Sequence, residues 1–116
     1  MRVSKFKGKD KAGNWHFGDV LHHDHGVVVI VDDAGKQHKI IPQTRCEFTG
    51  FKDIVSKEIF EGDIIQNTKH SELVYKVKMI DGCWCSTMNH DCNSLSLCWL
   101  LEHSYQKVIG NIHDND

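Results

Sequence analysis

Apolar residues in this chain recur mostly at every second position, in short runs separated by turn residues. Alternation at period two sets one face of a strand against a core and the other against water. The sharpest instance joins residues 73–80 to 83–87 through Asp81-Gly82. Asp-Gly between two such runs fits a two-residue hairpin turn in which both central positions take positive φ. Asp32-Asp33-Ala34-Gly35 separates another pair of apolar runs, and its glycine can supply the positive φ of a hairpin bulge. Further strands are expected over 3–7, 15–21, 27–31, 37–41, 63–68 and 106–109. The stretch 95–103 reads two ways. Leu95, Leu97, Trp99 and Leu101 alternate as in a strand, whereas Leu97, Leu100 and Leu101 suit a short helix. Closely spaced strands with short turns predict an all-β barrel or sandwich.

Size and charge narrow the function classes. A chain of 116 residues is one domain by length, with enough chain for a core that needs no metal or disulfide staple. The single proline, Pro42, and the lack of any Ser/Gly tract leave nothing resembling an interdomain linker. A formal net charge of -2 argues against a dedicated nucleic-acid or membrane-surface binder, which carries a basic excess. No apolar run approaches the roughly 20 residues needed to cross a bilayer, and the first residues lack the apolar stretch of a secretory signal. Five cysteines form an odd set, so reduced thiols in a cytoplasm are expected.

Several short segments carry a family likeness. They are Lys5-Phe6-Lys7-Gly8-Lys9 with Asn14-Trp15-His16-Phe17-Gly18-Asp19, then Ile41-Pro42-Gln43-Thr44, then Phe48-Thr49-Gly50-Phe51-Lys52-Asp53. After these come Glu58-Ile59-Phe60-Glu61-Gly62-Asp63-Ile64 and Val108-Ile109-Gly110-Asn111-Ile112-His113-Asp114-Asn115. In this order and spacing they resemble the YopX family, small proteins encoded mainly by bacteriophages and prophages. The chain departs from that pattern at Ile54-Val55-Ser56, where the family usually has Asn-Gly turn residues, and at Lys7, where arginine is common. The resemblance implies an all-β fold, with an SH3-type barrel or roll over residues 46–116 and N-terminal β-hairpins over 1–45 packed on it, in a single domain. It implies no activity, and fold alone does not assign one.

Three groups of side chains invite a chemical reading. Cys83 and Cys85, with His90 and Cys92, make a zinc candidate, although zinc knuckles favour two residues between cysteines. One intervening residue on a strand sets the sulfurs roughly 7 Å apart on one face, so plain thiols are the simpler expectation. His22-His23-Asp24-His25 contains metal-ligand residue types, but alternate positions on a strand would point apart, and a solvated hairpin end is favoured. Lys5, Lys7, Lys9 and Lys11 recur at period two beside Trp15 and Phe17. Such a stripe could meet phosphates while the rings stack on bases; the plainer alternative is an edge strand guarded by lysines.

Catalytic motifs are absent from the sequence: no Walker-type loop, dinucleotide fingerprint, His-Glu-x-x-His or nucleophile elbow. Asp53, Glu58, Glu61 and Asp63 cluster, and turn or strand-end carboxylates are their expected state. The chain is therefore expected to be no enzyme and to need no cofactor. The expected role is a phage or prophage accessory protein that binds a protein of host or phage through loops or a strand edge. The alternative is a nucleic-acid module using Lys5, Lys7, Lys9, Lys11 and Trp15. An exposed strand edge would also suit a symmetric dimer.

Overall fold

The computed structural model describes residues 5–88 and 94–115, and these fall into two compact units divided between Phe48 and Thr49. In the first unit, β1 (Phe6–Lys9), β2 (Trp15–His22), β3 (Val28–Val31) and β4 (Gln37–Ile40) form an antiparallel sheet in the order β4-β3-β2-β1. The first residues of β5 (Cys46–Lys52) extend it, with Cys46 opposite Lys7. β2 serves two partners. Its first half pairs with β1 and its second half, from Asp19, pairs with β3. Gly18 makes that change of partner feasible, because a Cβ there would lie 1.9 Å from the Val31 carbonyl oxygen. Any side chain would push β3 away. Val28, Ile30 and Ile40 form the unit's core, with Phe6 and Val20 packed against them.

The second unit holds the remainder of β5, β6 (Glu58–Phe60), β7 (Asp63–Asn67), β8 (Val74–Ile80), β9 (Cys83–Thr87), β10 (Ser94–Ser96), α1 (Leu97–His103) and β11 (Gln106–Asn111). Five of these strands form a sheet in the order β10-β9-β8-β7-β11. The turn between β8 and β9 is as the sequence predicts, with Asp81 at φ 50 and Gly82 at φ 82, both positive as the two-residue hairpin requires. Ile59, Ile65, Tyr75, Val77, Leu97, Leu100 and Val108 make the core. Fully burying an aliphatic side chain contributes about 1.5–3 kcal/mol, so this cluster is the unit's main source of stability.

The segment 95–103 combines both sequence readings. Ser94–Ser96 pairs with β9, and Ser96 then caps a helix by accepting the Trp99 N–H on its hydroxyl. Leu97 and Leu100, three apart, turn to the core as helical spacing requires. Two strands, β5 and β6, lie where the sequence reading placed none. β5 carries Gly50 at φ +88, which breaks the alternation that reveals a strand. The first strand spans Phe6–Lys9 rather than 3–7, and residues 3 and 4 lie outside the described residues. The all-β class holds, but among the described residues no sheet closes on itself, so the expected SH3-type barrel is not seen.

Candidate functional site

The acidic residues of the central motifs hold backbone. Asp53 is 7% exposed. Its Oδ1 accepts the N–H groups of Val55 (3.0 Å) and Lys57 (2.8 Å), while Oδ2 accepts the Val108 N–H at 2.9 Å. One carboxylate thus closes the β5–β6 turn and ties it to β11. Thr49 Oγ1 donates to the Ile59 carbonyl at 2.7 Å and accepts the Phe51 N–H at 3.1 Å. Asp63, also buried, accepts the Phe60 N–H at 2.7 Å and the Asn111 side-chain N–H at 2.9 Å. Asn111 accepts the His113 N–H on its own carbonyl oxygen, and its backbone N–H donates to Asp114. Buried polar groups are tolerable when paired in this way. These motif residues form joints between strands.

The N-terminal lysines are not a uniform exposed stripe. Lys5 is exposed, whereas Lys7 and Lys9 are buried, with their ammonium groups 4.6 Å and 5.8 Å from the Trp15 ring centroid. Cation–π contact of this kind is favourable within about 6 Å. Lys11 is exposed in the turn after β1. Of the zinc candidates, Cys83 is exposed and Cys85 buried, both as free thiols, and His90 and Cys92 lie outside the described residues. His22, His23, Asp24 and His25 are all exposed; His22 contacts Arg45 at 3.1 Å. No group of three or more His, Cys, Asp or Glu among the described residues is arranged around a metal position. Cys98, on α1, lies 3.5 Å from the Glu102 carboxylate, which pushes its thiol up from the ordinary range and away from thiolate nucleophilicity.

A second polar arrangement lies in the first unit, and sequence reading missed it. The turn after β1 and the turn after β3 are two copies of one sentence: Asp10-Lys11-Ala12-Gly13-Asn14-Trp15-His16 and Asp32-Asp33-Ala34-Gly35-Lys36-Gln37-His38. The shared pattern, Asp-x-Ala-Gly-x-x-His, is the signal that would have found it. In each, the Asp carbonyl accepts the glycine N–H, and the glycine takes positive φ (Gly13 90°, Gly35 81°). One carboxylate oxygen accepts the N–H at the turn's end, from Asn14 at 2.9 Å and from Lys36 at 2.9 Å. The other accepts the histidine Nε2–H, at 2.8 Å from His16 and 2.8 Å from His38. The two rings then stack, with centroids 3.9 Å apart and planes 13° from parallel.

These bonds favour the ionised carboxylates. The hydrogen bond from His16, followed by the Asn14 N–H, lowers Asp10 from 3.8 to about 2. Asp32 is lowered in the same direction by His38 first and then by the Lys36 N–H. Four side chains therefore brace two turns into one end of the first unit.

The first of these turns borders a hollow of about 500 Å³ lined by Asp10, Lys11 and Ala12 on one side and by Lys39, Ile40, Ile41 and Pro42 on the other. Its far wall is also braced. The Ile41 N–H donates to the Lys9 carbonyl at 2.8 Å. Thr44, 1% exposed, accepts the Lys9 N–H at 2.8 Å and donates to the Ile41 carbonyl at 2.6 Å. The Ile41-Pro42-Gln43-Thr44 motif thereby shapes one wall of the hollow. Its lining combines aliphatic Ala12, Ile40, Ile41 and Pro42 with the charged side chains of Asp10, Lys11 and Lys39.

A family model described as YopX protein matches residues 4–116. No curated protein matches the chain. The chain belongs to the YopX family.

Proposed function

We propose that this chain is a phage- or prophage-type accessory protein that acts without catalysis, by binding another protein at the turn end of its first unit. The observation that carries this reading is the hollow itself. Ala12, Ile41 and Pro42, backed by the buried Ile40, give the hollow an aliphatic lining, and a preformed apolar depression binds with little ordering cost. The motif carboxylates of the second unit support the same reading by their engagement with backbone N–H groups, which leaves Asp53 in an architectural role.

The nucleic-acid alternative draws on Lys5, Lys7, Lys9, Lys11 and Trp15. Lys7 and Lys9 already lie buried against Trp15, so this reading rests on Lys5 and Lys11, and binding would show a shallow salt slope. Affinity capture from bacterial lysate, with and without nuclease, compares the wild-type chain with Ala12→Phe, which places a bulky ring on the hollow's lining. Proteins held by the wild type in both halves and lost from the variant are the expected result. Proteins that vanish after nuclease would overturn the protein-binding reading in favour of the nucleic-acid one.

A further inference from the structure

We infer that the hollow takes an acidic peptide segment of the partner, with one apolar side chain entering between Ala12 and Pro42 and flanking carboxylates meeting Lys11 and Lys39. The inference rests on the binding role proposed for this hollow and specifies the partner's chemistry.

The argument is one of charge placement. Three ionisable side chains line the hollow: Asp10, Lys11 and Lys39. Asp10 is already engaged, with one oxygen on the Asn14 N–H and the other on His16. Lys11 and Lys39 are both exposed, and neither has an ion-pair partner among the described residues. Two exposed ammonium groups against one hydrogen-bonded carboxylate leave the lining net positive, with Lys11 and Lys39 carried on separate segments beside aliphatic Ala12, Ile41 and Pro42. Lys7 and Lys9, packed on Trp15, contrast with this pair because their charged ends are not offered to the surface in the same way. A neutral apolar peptide would leave both ammonium groups unanswered, and a basic one would be repelled. A phosphate backbone would meet the lysines but present nothing to the aliphatic lining beside them. An extended peptide with carboxylates on either side of an apolar residue answers both features. In a strand-like segment, neighbours of the anchor leave on the opposite side and residues two away return to the same side.

The test is a random dodecapeptide display selection on the immobilised full chain, followed by affinity measurement on the enriched peptide. The expected consensus is one apolar anchor with Asp or Glu within about two positions on at least one side. Reversing both rim charges (Lys11→Glu with Lys39→Glu) is expected to weaken that peptide about tenfold, the scale of two exposed ion pairs. A peptide with Lys in place of its acids should then recover binding to the double variant, which separates lost charge from lost folding. Ala12→Phe distinguishes the two levels of the argument. Peptides that Ala12→Phe abolishes, but that are neutral or basic, would overturn the acidic partner and leave the hollow as a binding surface. Failure to enrich any peptide, peptides indifferent to Ala12→Phe, or tighter binding of single-stranded DNA than of any peptide would overturn both.

Discussion

The turns after β1 and β3 share a backbone plan with the turn after β5. In all three, the Asp N–H and the carbonyl four residues on are bonded, the residue three on has positive φ, and one carboxylate oxygen caps the turn. They differ in the other oxygen. In the first unit it holds a histidine (Asp10 to His16, Asp32 to His38). In the second unit it reaches the Val108 N–H on β11. The same local device is thus turned outward in one unit and inward in the other. Where it turns inward it becomes a joint of the fold, at the end of the Phe48–Asp53 segment. Where it turns outward it braces a surface. The most distinctive residues of a sequence are therefore not the ones to assign to a partner without first asking what backbone they hold.

The largest expected effect comes from cutting the inward joint. Asp53→Ala removes three charge-assisted bonds to backbone N–H groups, two of them near the surface and one buried. We expect a loss of about 3 kcal/mol or more in urea unfolding. A loss below about 1 kcal/mol would break the comparison. Asn111→Ala should follow at about 2–3 kcal/mol, because it removes the side-chain donor to Asp63 Oδ1 and the side-chain acceptor of the His113 N–H.

Positive φ gives a smaller and two-signed test. The second-unit turn places Ser56 at φ 66, where the first unit places Gly35 at φ 81. A non-glycine residue in the left-handed region costs roughly 1–2 kcal/mol, partly offset by glycine's extra unfolded-state freedom. Ser56→Gly should therefore raise stability by up to about 1 kcal/mol, and Gly35→Ala should lower it by about 1 kcal/mol. Equal signs would show that the turns are not equivalent.

The smallest effect is tied to pH. Asp10 is lowered from 3.8 to about 2, so its carboxylate binds protons more weakly folded than unfolded. Its contribution is complete above about pH 4 and disappears as pH falls towards about 2. Urea midpoints of wild type and Asp10→Asn should differ at pH 5 and converge on acidification through that window. A constant gap would mean that the carboxylate's charge has no part in the clasp.

Much of the fold was legible from alternation in β7, β8 and β11, whose buried residues fall mainly at every second position, and from the β-branched run of β3, which is buried at three successive residues. β5 and β6 were hidden by Gly50 and by charged residues such as Glu47 and Glu58, whose positions suit a motif as well as a strand. The motifs at Asp53 and Asp63 were visible as turn carboxylates, but their bonds to Val108 and Asn111 join residues 55 and 48 positions apart. The histidine clasp was available as an internal repeat. The hollow was not, because its lining segments, 10–12 and 39–42, lie far apart in sequence and are brought together by long-range contacts such as the bonds from Lys9 to Ile41 and Thr44.

The division between an architectural second unit and a binding first unit is tested most directly by NMR. The amide spectrum of the isotope-labelled full chain would be titrated with the selected acidic peptide. The account predicts shifts concentrated at residues 10–16 and 38–42, with Asp53, Asp63, Val108 and Asn111 unmoved. Shifts centred on those four residues, with the turn end silent, would contradict it.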